Sequence, residues 1–228
     1  MTSRRHAENL TKADPEKSYP MAAAFSTLKA MRKAKFDETV ECVVRLGVDP
    51  KKSDQMVRGA VNLPNGLGKK VRVIVFAEGA AADQARAAGA MEVGGEELGA
   101  RIEGGWTDFD IVIAHPAMMK VVGKLGRVLG PQGKMPSPKS GTVTPNVGQA
   151  TTEFQAGKVE FRVDAGGNVH VPIGKLSFTP QQLEENARAF LDFVVSVKPA
   201  SAKGHFIRNV SVSSTMSPGF RIEYANAQ

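Results

Sequence analysis

Glycine followed by lysine is the pair on which phosphate-binding loops are built, and the sequence contains five such pairs. Such a loop also needs a glycine five residues before the pair and a Ser or Thr after it. The positions five before the pairs hold Leu63, Met118, Val128, Thr152 and Val169. Gly66-Leu67-Gly68 begins a dinucleotide fingerprint, but Val71 replaces the third glycine, and the motif precedes a strand. The sequence therefore lacks phosphate-loop chemistry.

The remaining side chains that could perform chemistry are scattered. None of the four histidines (His6, His115, His170 and His205) has a partner at the i, i+4 spacing of a helical metal pair. His115 ends a predicted strand, where catalytic residues often lie, but a strand-end histidine without chemistry is the favoured interpretation. The single cysteine, Cys42, excludes an intrachain disulfide and a Cys-pair zinc site. We expect no catalytic residues, no cofactor and no metal.

The middle of the chain alternates between strands and helices. Apolar runs predict strands at 71–76, 90–93 and 109–115, with helices at 80–88 and 96–103 between them. This alternation is typical of a parallel sheet with helices on both faces. Residues 121–148 follow, with six glycines, four prolines and no acidic residue. We predict a long, irregular basic loop there.

The two ends of the chain have a different pattern. We predict a helix at 20–33 and a strand at 36–48, in which Val40, Cys42, Val44 and Leu46 share one face. The C-terminal end predicts a hairpin from 159–163 and 169–173, a helix from Pro180 to before Pro199, and strands at 205–215 and 220–224. A lone strand is not stable by itself. We therefore expect the two ends to fold together.

The predicted fold class is α/β, with a split α+β sandwich domain formed by both chain ends and an inserted Rossmann-like αβα domain. The predicted boundaries are 1–67 plus 159–228 for the split domain and 68–158 for the insertion. Both crossings contain glycines, and we predict hinge positions at Gly66, Gly68 and Gly157.

The charge distribution indicates a polyanionic partner. The chain has 30 Lys and Arg against 23 Asp and Glu, a net charge of +7, and residues 1–70 hold 14 basic and 8 acidic side chains. Residues 120–158 hold 6 basic and 1 acidic. No apolar stretch approaches a membrane span, and no apolar segment follows the N-terminal basic residues. We expect a soluble, cytoplasmic protein.

Several blocks of sequence carry a resemblance to a known family. They are KFDETVE (35–41), GVDPKKSDQMVRGAVNLPNGLGKKVRV (47–73), GGWTDFDIVIAHPAMM (104–119), KLGRVLGPQGKMPSPKSGTV (124–143), AGKVEFRVD (156–164), HVPIGKLSF (170–178) and KGHFIRNVSVSSTMSPGFRI (203–222). Together they resemble the bacterial family of the first protein of the large ribosomal subunit, which belongs to the mobile stalk beside the exit site.

The resemblance implies an RNA-binding protein without enzymatic activity, present as a monomer in the large ribosomal subunit. Its split domain would bind a stem and internal loop of large-subunit (23S) ribosomal RNA. The same domain would bind the messenger of its own operon and repress its translation. On the ribosome, the stalk would assist release of deacylated transfer RNA from the E site. No membrane partner is implied.

The resemblance also assigns site residues. The predicted ribosomal RNA contacts are Lys35, Phe36, Thr39, Glu41, His170, Gly174, Lys175, Ser211, Ser213, Thr215, Met216 and Ser217. Thr39 and Glu41 could meet ribose 2′-hydroxyls, the groups that distinguish RNA. The family pattern has glycine where this chain has Ser217, and glycine there would let RNA approach the backbone more closely. The basic loop, and not the resemblance, predicts a secondary, non-sequence-specific RNA contact, because its cations have no acidic neighbours: Lys120, Lys124, Arg127, Lys134 and Lys139.

Simpler interpretations of these residues stay open. Phe36 could pack under the sheet edge instead of against a base, and the hydroxyl row at Ser211, Ser213 and Thr215 could be solvated strand surface. His170, Gly174 and Lys175 could be ordinary hairpin surface, and the basic segment a solvated loop. Two other functions also remain: a nucleotide enzyme built on the inserted domain, and a general basic binding module without RNA preference.

Overall fold

The structure is a computed structural model that describes residues 3–14 and 16–224. Its strands are β1 (Ser18–Tyr19), β2 (Thr39–Leu46), β3 (Arg58–Asn62), β4 (Val73–Phe76), β5 (Glu92–Gly94), β6 (Ile111–Ala114), β7 (Lys158–Arg162), β8 (Asn168–Lys175), β9 (Ile207–Ser214) and β10 (Phe220–Ile222). Its α-helices are α1 (Arg4–Leu10), α2 (Met21–Ala30), α3 (Ala80–Ala87), α4 (Glu96–Glu103), α5 (Met119–Lys124), α6 (Gly126–Leu129), α7 (Val147–Ala156) and α8 (Pro180–Ser196). The predicted mixed α/β class is confirmed.

The chain divides into two compact units. The split unit contains residues 1–68 and 159–228, and the inserted unit contains residues 69–158. These names are used below for the two sets of residues.

A five-stranded sheet organises the split unit, in the order β1-β10-β9-β2-β8. Strand β2 lies between β8 and β9 and pairs antiparallel with both. Its alternation buries Val40, Cys42, Val44 and Leu46, as the sequence predicts. The opposite face of β2, β8 and β9 is half-buried or exposed along its length. The sheet therefore has one core face and one open face.

Helices α2 and α8 supply the core that covers the buried face. Pro180 lies in the first turn of α8, and Thr179 and Gln182 form a reciprocal capping box at its start. Phe190 and Phe193 of α8 pack edge-on against Phe161 of β7, with ring centroids 5.6 and 5.8 Å apart. Both predicted helices are confirmed, although α2 is three residues shorter at its C-terminal end than the predicted helix at 20–33.

The predicted hairpin of residues 159–163 and 169–173 is wrong in its pairing. Strand β7 pairs with β3 in a separate two-stranded sheet, while β8 pairs with β2. The turn itself exists, since the Asp164 amide donates to the Asn168 carbonyl at 2.8 Å, but only a single bridge, Val163–Val169, follows it. Strand β3, which the sequence did not predict, takes the place of the expected partner.

The inserted unit contains a parallel sheet in the order β5-β4-β6. Successive residues of β4 point to opposite sides, so that Val73 and Val75 pack against α3 and α7 residues such as Phe154. Ile74 and Phe76 pack on the other side, against residues of α4 and α5. Helix α4 has the bounds that the sequence predicts.

The predicted basic loop at 121–148 is wrong over much of its length. Helix α5 ends within it, α6 lies entirely within it, and α7 begins at its last residues. Val122, Leu125 and Leu129 recur at helical spacing and are buried in the core of the inserted unit. The apolar periodicity therefore outweighs the glycines between these residues.

Candidate nucleic-acid interface

A buried carboxylate lies at the centre of the predicted RNA-contact residues. Glu38 is 1% exposed. Its Oε1 accepts a hydrogen bond from the Ala34 amide at 2.7 Å, and its Oε2 accepts bonds from the Ser214 hydroxyl at 2.5 Å and the Met216 amide at 3.0 Å. One side chain thus joins the segment before β2 to the turn after β9.

The environment of Glu38 keeps it ionised. Burial acts to raise its pKa, but the hydrogen bonds from Ser214, Ala34 and Met216 and the charge of Arg5 outweigh this, so the pKa lies below its ordinary value. A buried charge is tolerated only when it is paired and hydrogen-bonded. The two connected segments are therefore held in one arrangement.

Helix α1 contacts the same turn through Arg5. The Arg5 guanidinium donates to the Met216 carbonyl at 3.2 Å and lies 4.0 Å from Glu38 Oε1. The Met216 main chain is therefore held from both sides, its amide by Glu38 and its carbonyl by Arg5.

Two large apolar side chains project from these connected segments. Phe36 is 55% exposed and Met216 is 46% exposed. Phe36 lies in the turn closed by the hydrogen bond between Ala34 and Glu38, and because it is more than half exposed, it does not pack under the sheet edge. Lys35, beside it, is also exposed. The arrangement offers two apolar contacts and a cation on short, fixed turns.

Two threonines tie the start of β2 to the end of β9. The amide of Thr39 donates to the Thr215 hydroxyl at 3.1 Å, and the Thr215 amide donates to the Thr39 carbonyl at 3.0 Å. The Lys175 ammonium donates to the Thr39 hydroxyl at 2.8 Å. Among the residues that the structure describes, none takes the Thr39 hydroxyl proton, which stays available to an outside acceptor.

The open face of the sheet continues from these threonines. Glu41 pairs in register with Ser213, and Val43 pairs with Ser211. Glu41 is exposed and both serines are half-buried, while Val212 between them is buried. The predicted outward row of hydroxyls is confirmed as a surface, and whether RNA contacts it stays a prediction.

Ser217 is directed into its own turn. Its hydroxyl accepts a bond from the Ser214 amide at 2.8 Å and donates to the Pro218 carbonyl at 2.9 Å. Its backbone does not adopt a positive φ. The side chain therefore closes the turn that presents Met216, and the conformation here does not require glycine.

The three residues predicted on β8 differ in their surroundings. His170 is exposed and its Nε2 lies 3.3 Å from Asp164 Oδ2. Gly174 is buried, and a Cβ on it would lie 2.8 Å from a ring carbon of Phe178, so packing accounts for this glycine. Lys175 faces Thr39, as described above. Only His170 and Lys175 offer side chains to a phosphate.

The five basic residues predicted as a secondary contact lie in the inserted unit. Lys120, Lys124, Arg127 and Lys139 are exposed. Lys134 is half-buried: its ammonium donates to the Thr107 carbonyl at 3.0 Å and lies 4.8 Å from the centre of the Phe109 ring. The structure thus uses Lys134 within the unit and leaves four cations at its surface.

The three predicted hinge glycines all have positive φ, at 64° for Gly66, 68° for Gly68 and 124° for Gly157. The Gly66 carbonyl accepts a hydrogen bond from the side-chain amide of the buried Asn186 at 3.0 Å. A Cβ on Gly68 would lie 2.7 Å from the Phe178 ring. The first two glycines are therefore packed into the split unit, and a hinge role stays a prediction.

Sequence reasoning missed Glu38 and Arg5. Glu38 lies at the same alternate positions as Val40, Cys42 and Val44, so the strand alternation extended by one residue pair places it on the core face, although its charge argues against burial. Arg5 gave no such signal, because helix α1 was not predicted and its contact spans 211 positions of sequence.

Three further observations on the described residues concern metal binding, the cysteine thiol and membrane spans. Within 3–14 and 16–224, no group of His, Cys, Asp and Glu side chains is arranged to hold a metal ion. Cys42 is buried, and burial raises the pKa of its thiol to about 12. No helix in this part of the chain is long and apolar enough to cross a membrane.

The comparison with known families agrees with the resemblance noted in the sequence. The model of the ribosomal protein L1p/L10e family matches residues 28–218 of the 228. The match includes β2, β9 and all of the predicted contact residues, while helix α1 precedes it. The chain therefore belongs to the ribosomal protein L1p/L10e family, a structural, ribosomal RNA-binding family and not a family of enzymes.

Proposed function

We propose that the split unit binds a stem and internal loop of large-subunit ribosomal RNA through the surface around Glu38, and so anchors the protein in the stalk near the E site of the cytoplasmic ribosome. The observation that carries the proposal is the exposed pair Phe36 and Met216, fixed on turns that share the Glu38 carboxylate. Sequence-specific RNA recognition targets unpaired bases that can stack on exposed side chains, and this surface offers such contacts.

The neighbouring polar groups fit the same ligand. Lys35 and Lys175 can approach phosphates, and the free proton of the Thr39 hydroxyl can be donated to a phosphate or ribose oxygen. Phosphate contacts fix the position of the protein along the RNA, while the apolar side chains contact bases. A general basic binding module would need only the cations.

A binding titration tests this proposal. The full-length protein is titrated with a fluorescent fragment of the ribosomal stem and internal loop, and separately with duplex DNA of equal length, from 50 to 400 mM salt. We expect RNA to be preferred by on the order of 10³-fold at physiological salt. Equal affinities with equal salt slopes would identify a general basic binding module.

We further propose that the same surface binds a similar RNA element in the messenger of the protein's own operon and represses its translation. A single surface for two RNAs makes their binding mutually exclusive. The two fragments should therefore displace each other completely in a competition titration. A ternary complex of the protein with both RNAs would show that the messenger binds elsewhere.

The inserted unit is proposed to contact transfer RNA at the E site and to assist its release. The four exposed cations Lys120, Lys124, Arg127 and Lys139 support this contact, because none of them takes part in an ion pair within the described residues. Replacing all four by Gln should leave affinity for the ribosomal RNA fragment within twofold and slow transfer RNA release from ribosomes. A large loss of fragment affinity would instead place primary binding on the inserted unit.

A further inference from the structure

Helix α1 lies before the residues that match the family, yet it contacts the candidate interface. The Arg5 guanidinium reaches across to the Met216 carbonyl at 3.2 Å and also lies 3.5 Å from the Arg32 carbonyl. Its side chain is only 18% exposed. The neighbouring Arg4 is exposed. Two adjacent arginines of one short helix therefore have different surroundings.

Arg5 and Glu38 hold the two peptide groups on either side of Met216. Glu38 accepts the Met216 amide proton, and Arg5 donates to the Met216 carbonyl. Glu38 also accepts from Ala34, which closes the turn that carries Phe36. Hydrogen bonds that involve a charged partner are stronger than neutral ones. The pair therefore restrains the positions of both exposed apolar side chains.

The Arg5–Glu38 pair also limits what RNA can contact directly. Glu38 is 2% exposed at its side chain, so RNA cannot reach it without opening the turn. Arg5 points its guanidinium at protein oxygens. Both groups thus affect the interface through the backbone that they hold.

We propose that Arg5 of helix α1, acting with Glu38, is a positioning residue that preorganises the Phe36 and Met216 turns for RNA binding. The inference rests on the proposed function of the split unit. Preorganisation raises affinity because the ordering of these turns is completed before RNA arrives. It also makes the N-terminal helix part of the binding apparatus, although no residue of the helix need touch RNA.

The test compares Arg5→Gln with Arg4→Gln in the full-length protein. Each variant removes one positive charge from the same helix, one residue apart, so their effects on long-range attraction should match. We expect Arg5→Gln to weaken binding to the ribosomal RNA fragment about 5- to 20-fold relative to Arg4→Gln. The two variants should show the same salt slope, whereas loss of a direct phosphate contact would lower the slope by about 1 for Arg5→Gln alone.

A second measurement does not depend on RNA. Amide hydrogen exchange at Met216 should become at least about 10-fold faster in Arg5→Gln and in Glu38→Gln, but not in Arg4→Gln. Thermal denaturation of each variant establishes that it is folded. In Glu38→Gln, the new side-chain NH2 group would face the hydrogen-bond donors of Ala34, Ser214 and Met216, which is unfavourable. If this variant unfolds for that reason, Arg5→Gln remains the decisive variant.

The outcomes separate the inference from the proposed function. If the wild type binds RNA and Arg5→Gln matches Arg4→Gln in affinity and exchange, the positioning role is refuted and the function stands. A salt slope lowered only in Arg5→Gln would make Arg5 a direct phosphate contact and also refute the positioning role. If the wild type does not prefer RNA, the proposed function fails and the positioning role fails with it.

Discussion

Truncating the two exposed apolar side chains should weaken RNA binding without destabilising the protein. Phe36 is 55% exposed, and the part of its ring facing solvent is free to stack on a base. Base stacking on an aromatic ring is worth about 1–3 kcal/mol by alanine substitution. Phe36→Ala should therefore raise the dissociation constant by about 5- to 150-fold.

The magnitude for Met216 follows from its exposure. Full burial of a Met side chain contributes about 1.5–3 kcal/mol. Because Met216 is 46% exposed, RNA can bury only about half of that, which gives about 0.7–1.4 kcal/mol. Met216→Ala should raise the dissociation constant about 3- to 10-fold. The free energy of unfolding should change by less than about 1 kcal/mol for either variant, since neither side chain fills the core.

The inserted unit provides a matched control. Met91 is 45% exposed, nearly the same as Met216, but lies in the other unit. The assay is fluorescence anisotropy with the ribosomal RNA fragment, alongside thermal denaturation, for Phe36→Ala, Met216→Ala, their combination and Met91→Ala. If Met216→Ala and Met91→Ala bind equally well, or if Phe36→Ala keeps full affinity, the assignment of the interface is wrong.

Two further predictions concern stability. Burial acts to raise the pKa of Asp110, but hydrogen bonds from Arg72 and Lys69 outweigh it and lower the pKa to about 2, from an ordinary 3.8. The stabilisation that Asp110 contributes is therefore present above pH 3.8 and lost as the pH falls to about 2. Asp110→Asn should lower the free energy of unfolding of the inserted unit by about 1–2 kcal/mol at pH 7, after allowance for solvent screening. In a thermal denaturation series from pH 7 to 2, the melting temperature of the variant should fall less steeply with acid than that of the wild type. The Asn186 side chain is fully buried and accepts a hydrogen bond from the Asn65 backbone amide at 3.0 Å. Asn186→Ala should therefore lower the free energy of unfolding, measured by urea denaturation, by about 2–4 kcal/mol. A loss below about 1 kcal/mol would contradict the role given to its hydrogen bonds.

The sequence predicted the elements whose apolar periodicity is strong. The alternation along β2 indicated both the strand and its buried face, and Pro180 and Pro199 indicated where α8 begins and ends, so neither element needed tertiary information. Strand β3 was missed since its five residues alternate too briefly to stand out, and the hairpin pairing failed with it. Pro116 indicated a helix after β6, but the continuation of α5 past Lys120 and the whole of α6 were missed because glycines and prolines nearby favoured a loop.

The candidate site was predictable only in its exposed part. Phe36 and Met216 came from the family resemblance, and the outward serines came from strand alternation. The groups that hold them could not be predicted in the same way, because Glu38, Ser214 and Arg5 meet only after both chain ends have come together. Lys134 looked equivalent to its basic neighbours until its contacts with Thr107 and Phe109 distinguished it.

The order of strands in the split unit has a consequence for the time at which it can form. Strand β2 ends at Leu46, and its neighbour β9 begins at Ile207, about 160 residues later. At roughly 5–20 residues per second, a ribosome needs about 8–30 s to synthesise that interval. Strand β8 begins about 120 residues after β2 ends, and until it has been made β2 has neither of its two neighbours, so its apolar face and both edges stay open to other chains. The inserted unit, which is continuous in sequence, is complete before β8 and β9 have been made. Assembly of the surface proposed to bind RNA is thus among the last events in the synthesis of this chain, because β9 completes it.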